Sequence, residues 1–82
     1  MGGSKGRQIL VTGALGQIGM ELLHALSDKF GAENIVATDI RDSEELEKLG
    51  INFLKLDVLD FEKLENIIKE FNIDEVYHLA AI

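Results

Sequence analysis

The sequence predicts an α/β fold on one open parallel sheet, and three observations carry that prediction. From Gln8 onward apolar strand-like runs alternate with amphipathic helical runs, with no proline, repeat or linker to divide them. Three glycines, Gly13, Gly16 and Gly19, stand where the first apolar run gives way to the first helical one. With 82 residues and 46% hydrophobic content, the chain can bury one core and no more.

The elements follow in order. Ile9-Leu10-Val11 is a short uninterrupted apolar run, the pattern of a central strand covered on both faces. After the glycines, Ile18, Leu22, Ala25, Leu26 and Phe30 recur at helical spacing, and Gly31 offers a C-terminal cap. Asn34 to Asp39 reads as the second strand. A short second helix is expected from Asp42 or Ser43 to Gly50, with Glu45 placed to complete a capping box from Asp42. Ile51 to Asp57 carries polar residues on both faces, which suits an edge strand. Asp60 caps a third helix whose Phe61, Leu64, Ile67, Ile68 and Phe71 form one stripe, and Glu75 to Leu79 is the fourth strand.

Right-handed crossovers then give the order 3-2-1-4, with two helices on one face and one on the other. That layout is expected to leave the apolar backs of strands two and three uncovered and the edge of strand four free. Both features predict a homo-oligomer. Residues 1–7 read as a flexible leader or a remnant of expression, and residues 8–82 as the domain.

The glycines carry the chemistry. Lacking a Cβ, Gly13 permits a sharp turn, Gly16 lets the main chain approach a pyrophosphate, and Gly19 lets the helix pack closely on its strand. The first helical turn then offers free N–H groups and a partial positive charge, which stabilise a phosphate diester without a basic side chain. A net charge of -7 is therefore no obstacle. Asp39 closes the second strand 26 residues beyond Gly13, where an acid can accept from a ribose. The crevice between strands one and four, where the strand order reverses, is the expected site. The competing account is a tight turn that binds nothing, with Asp39 merely solvated.

Composition excludes several classes. Fifteen acidic against eight basic residues, with no basic stripe, exclude nucleic acid as a partner. The absence of cysteine removes disulfides and thiolate metal sites, and a cytoplasmic location is expected. No apolar run approaches the ~20 residues of a membrane span, and residues 1–7 lack the apolar centre of a signal peptide.

The turn from Thr12 to Gly19, Asp39-Ile40-Arg41, Leu56-Asp57-Val58 and Tyr77-His78-Leu79-Ala80-Ala81 together resemble the extended short-chain dehydrogenase/reductase superfamily, the NAD-dependent epimerase/dehydratase family. The resemblance spans Gln8 to Ile82. Within that family the Gly-Gln-Ile-Gly turn, the Asp-Ile pair and the His-Leu-Ala segment are most similar to the short-chain type of L-threonine 3-dehydrogenase, with the sugar-nucleotide epimerases close by.

The resemblance implies a partial Rossmann fold, NAD or an adenosine-containing nucleotide as ligand, and a set of roles. Gln17 and Ile18 would offer backbone amides to the pyrophosphate, and Asp39 would bind the adenosine ribose. Ile40 and Arg41 follow it, with Arg41 at the adenine or at a 2′-phosphate. Asp39 would repel that phosphate, so NAD is expected over NADP. Asp57 and Val58 would surround the adenine, although an exposed carboxylate closing a strand accounts for Asp57 equally well. Leu79, Ala80 and Ala81 would line the far side of the cofactor.

A flavin or S-adenosylmethionine can also occupy such a turn, so the choice of NAD rests on the resemblance. The family's proton transfer uses a tyrosine followed four residues later by a lysine, whereas Tyr77 has Ala81 at that position. Tyr77 therefore reads as core or interface, and His24 and His78 as structural. The expectation is a noncatalytic NAD-binding module, the N-terminal and possibly engineered part of an NAD-dependent oxidoreductase or epimerase. The alternatives are a structural folding or assembly unit with little cofactor binding, and one piece of a complementing enzyme pair.

Overall fold

All four side chains of β1 (Ile9–Thr12) are buried, as are all five of β2 (Ile35–Asp39), so these two strands form the centre of the sheet. The computed structural model describes residues 6–80. Around this centre lie α1 (Gln17–Phe30), α2 (Glu45–Lys48), β3 (Asn52–Lys55), α3 (Phe61–Glu70) and β4 (Glu75–His78), with a 3-10 turn at Ala32–Asn34. The sheet is parallel in the order β3-β2-β1-β4, as the crossover rule requires. Ile9 pairs with both Ile35 and Glu75, and Asp39 with Lys55.

Strand alternation splits the core into two layers. Ile9, Val11, Ile35 and Ala37 meet Leu23 and Leu26 of α1, together with Leu46 and Ile51, on one face. Leu10 and Val36 meet Leu56 and Ile67 on the other, flanked by the partly buried Leu54, Leu64, Ile68 and Phe71.

That second layer corrects one expectation. The backs of β2 and β3 are covered, since Val36 and Thr38 are fully buried and Leu54 is half-buried. To return from β3 to β4 the chain carries α3 across the strands between them, and the helix shields what it crosses. The exposed sheet surface lies instead at β4, where Val76 is 47% exposed. Tyr77, one residue on, packs against the first core layer, within the structural role expected of it.

Two stripe residues also lie outside the core. Ile18 and Phe61 are each 71% exposed, because both sit in the first turn of a helix that starts beyond the C-terminal edge of the sheet, where no strand side chain faces them. Ala25 is exposed as well, and Leu23 fills the core position beside Leu26.

The second helix is a single turn without the expected capping box. Ser43 Oγ accepts the Glu45 N–H at 3.2 Å, while Asp42 pairs with Lys55 at 3.6 Å. Asp60 does cap α3, accepting the Lys63 N–H at 3.2 Å. Asn34 belongs to the 3-10 turn rather than to β2, because its side-chain amide donates to the Phe30 carbonyl and accepts from Gln8, both at 2.6 Å. Of the predicted leader, Arg7 pairs with Glu75 at 3.5 Å, and residues 1–5 lie outside the described residues. Among the described residues no helix is long and apolar enough to cross a membrane.

Candidate functional site

The three glycines at the end of β1 have different physical roles. Gly13 has φ +66°, and a Cβ there would sit 2.7 Å from the Ala80 nitrogen, so the turn and the backbone leaving β4 both require glycine. A Cβ on Gly19 would lie 2.6 Å from the Ala14 carbonyl oxygen, which shows how closely α1 is pressed onto the turn. Gly16 differs from both. Its backbone is extended (φ -73°, ψ 168°), and the nearest atom to a Cβ there is the Gly13 oxygen at an ordinary 3.7 Å. The fold has no need of glycine at 16, yet the position faces a cleft.

Gly16 is also the N-cap of α1, and no side chain caps that helix or places an acid in its first turn. The open donors there contrast with the capped start of α3. The turn itself is held rigidly from β2, because Ala14 N–H donates to the Thr38 carbonyl and Leu15 N–H to Asp39 Oδ2, each at 3.0 Å.

Asp39 is buried at the end of β2 beneath the exposed Arg41. Its Oδ1 accepts the Arg41 backbone N–H at 3.0 Å and the Arg41 Nε–H at 3.1 Å, and its Oδ2 accepts from Arg41 Nη2 at 3.3 Å besides Leu15. Burial pushes the carboxyl pKa upward. The hydrogen bonds from the Arg41 side chain and from the Arg41 and Leu15 backbone, with the Arg41 charge, outweigh that push and hold it below the usual carboxylate value.

On the other side of β1, the buried Thr12 hydroxyl accepts the Leu79 and Ala80 N–H groups at 3.1 and 3.4 Å and lies 2.8 Å from His78 Nδ1. With both acceptor positions used, its proton faces His78. This fixes the residues leaving β4 against the glycine turn.

Between these anchors lies a cleft of about 300 Å³ at the C-terminal ends of the strands, where the strand order reverses. It is lined by Gly13 and Gly16 of the turn, Asp39, Ile40 and Arg41 at the end of β2, Asp57 and Val58 after β3, and Leu79 and Ala80 after β4. Gln17 and Ile18 are exposed at the start of α1 but do not line the cleft, and Gly19 is buried under the turn. Ala81 lies outside the described residues.

Leu56 also lines the cleft; it belongs with Asp57 and Val58 to the resemblance, which gives it no role. Asp57 Oδ1 accepts the Leu59 N–H at 2.9 Å, so this acid has a turn-forming role of its own. His24 lies exposed on α1, away from the cleft.

The family model described as the NAD dependent epimerase/dehydratase family matches residues 9–82. An uncharacterized epimerase/dehydratase of Staphylococcus epidermidis is 42% identical over 77 residues, covering 93% of this chain and 24% of the relative. Among solved structures, a monomeric L-threonine 3-dehydrogenase from a metagenome is 49% identical with a TM-score of 0.81, over 92% of this chain and 23% of that one. The L-threonine dehydrogenase of Clostridium difficile is 38% identical with a TM-score of 0.84, over 96% and 25%. The chain thus spans about a quarter of the length of the proteins it matches.

Proposed function

The chain belongs to the NAD dependent epimerase/dehydratase family, and from that membership we propose that it is an NAD-binding module, the N-terminal cofactor-binding part of an oxidoreductase or epimerase resembling L-threonine 3-dehydrogenase. One observation carries this reading. Gly16 leaves open a cradle that a side chain would fill, at an uncapped helix start, and no packing or backbone requirement explains its being glycine.

The residues present fit the adenosine half of the dinucleotide. The amides of Gln17 and Ile18 would hold the pyrophosphate, Asp39 the ribose diol, and Ile40, Asp57 and Val58 the adenine, with Arg41 at the lip of the cleft and Leu79, Ala80 and Ala81 along the far side. A cleft of about 300 Å³ is at the small end for ligand sites and suits half a dinucleotide. Bound NAD supplies a hydride acceptor. This chain contributes binding and orientation, and the Tyr-x-x-x-Lys pair that would move a proton is not in its sequence. We read it as noncatalytic alone, with a cysteine-free composition suited to a cytoplasmic setting. The half-exposed Val76 beside the free edge of β4 favours self-association. Sedimentation as a folded monomer at high concentration would remove that part.

Titration with NAD tests the main reading. Binding near the millimolar range, worth about 4 kcal/mol, is expected, with equal affinity for ADP-ribose. A flat titration of the parent chain would leave the second reading, a folding or assembly unit with little cofactor binding. That reading is favoured by Asp39, whose acceptor positions are all satisfied internally.

A further inference from the structure

We infer that Arg41 is a displaceable latch on the nucleotide site: its guanidinium holds the two Asp39 acceptor positions that a ribose 2′,3′-diol takes, and swings out when an adenosine nucleotide binds. The inference rests on the NAD reading above and adds to it a residue that sets affinity.

A carboxylate has about four acceptor positions, two on each oxygen. In Asp39 all four are used, in a paired pattern. Oδ1 accepts the Arg41 backbone N–H at 3.0 Å and Arg41 Nε–H at 3.1 Å. Oδ2 accepts the Leu15 backbone N–H at 3.0 Å and Arg41 Nη2–H at 3.3 Å. One bond on each oxygen comes from main chain, that of Leu15 in the glycine turn and that of Arg41 just after β2, and one from the Arg41 side chain. Withdrawal of that single side chain therefore frees one position on each oxygen, the number a vicinal diol needs, while the backbone bonds keep the carboxylate aimed.

The Arg41 side chain can move. It is 63% exposed, whereas the Asp39 side chain is 4% exposed, so the arginine is the solvated partner and the acid the fixed one. Arg41 also lines the cleft, and its departure leaves it on the exposed lip beside Ile40. Ion pairs with one well-hydrated member are weak, which makes a ribose diol a competent competitor. A site closed most of the time shows an affinity lowered by the fraction open.

The test is calorimetric titration of the parent, Arg41→Met and Asp39→Asn with NAD, with folding checked by circular dichroism. Alongside it, the Arg41 Nε–H resonance of the parent is followed as NAD is added. Arg41→Met is expected to bind threefold to tenfold more tightly, Asp39→Asn at least tenfold more weakly, and the parent's Nε–H to lose protection from solvent exchange at saturation. Binding by Arg41→Met that is equal to or weaker than the parent's overturns the latch and leaves the NAD reading standing, as does an Nε–H that stays protected in the complex. Silence from all three proteins at millimolar NAD removes the reading and the latch together. If Arg41→Met does not fold, the exchange measurement on the parent decides.

Discussion

Asp39 Oδ2 accepts the Leu15 N–H at 3.0 Å, so the acid that closes β2 also anchors the turn leaving β1. The pKa of this carboxyl is lowered in the fold, and its ionised form therefore stabilises the native state fully above the ordinary carboxylate range of about 4. That contribution disappears as pH falls through the lowered value. Asp39→Asn is expected to cost about 1–3 kcal/mol at pH 7. The gap between parent and variant should narrow below about pH 4, as read from thermal melts across a pH series.

Gly19 and Gly16 should respond in opposite ways. Alanine inside a helix ordinarily gains up to about 1 kcal/mol over glycine. At 19, however, the new Cβ would sit 2.6 Å from the Ala14 carbonyl oxygen. Gly19→Ala is therefore expected to lose roughly 1–3 kcal/mol in urea unfolding. Gly16→Val should stay within about 1 kcal/mol of the parent yet abolish the NAD signal. Equal destabilisation by both would mean that Gly16 is structural.

The Thr12 hydroxyl organises three groups at once, so Thr12→Val removes them without changing shape. A cost of about 1–3 kcal/mol is expected, with faster amide exchange at Ala80, which loses its partner. In the parent, His78 should carry its proton on Nε2, since Nδ1 faces the Thr12 proton. Nitrogen chemical shifts of the imidazole check this directly.

Ser27 sits on α1 with a buried hydroxyl that has no hydrogen-bond partner. Ser27→Ala removes that group and raises helix propensity. A gain of roughly 0.5–1 kcal/mol is expected by chemical denaturation.

Much of this architecture was legible in the residues. The solid apolar run at Ile9 to Val11 marked an interior strand, the mixed faces of Asn52 to Lys55 an edge, and Asp60 the start of a helix, because each depends on local pattern. The exposure of Ile18 and Phe61 was not legible, since periodicity gives the direction of a side chain around a helix but not its height above the sheet. The shielding of Val36 depended on the path of α3 across the sheet, which spacing does not encode. Asp39 to Arg41, Asp57, Val58, Leu79 and Ala80, far apart in the sequence, line one cleft. The difference in kind between Gly13 and Gly16 emerged only from the approach of Ala80 at the other end of the chain.

The register of β1 has a kinetic corollary. Its partner on one side, β2, follows after a single helix, but its partner on the other, β4, lies 66 residues further along the chain, as in the Thr12–His78 pair. A ribosome releasing this polypeptide would leave one flank of β1 unpaired until β4 had emerged. The long loop closed at that moment makes the final zippering step slow and vulnerable to capture by a stray neighbour.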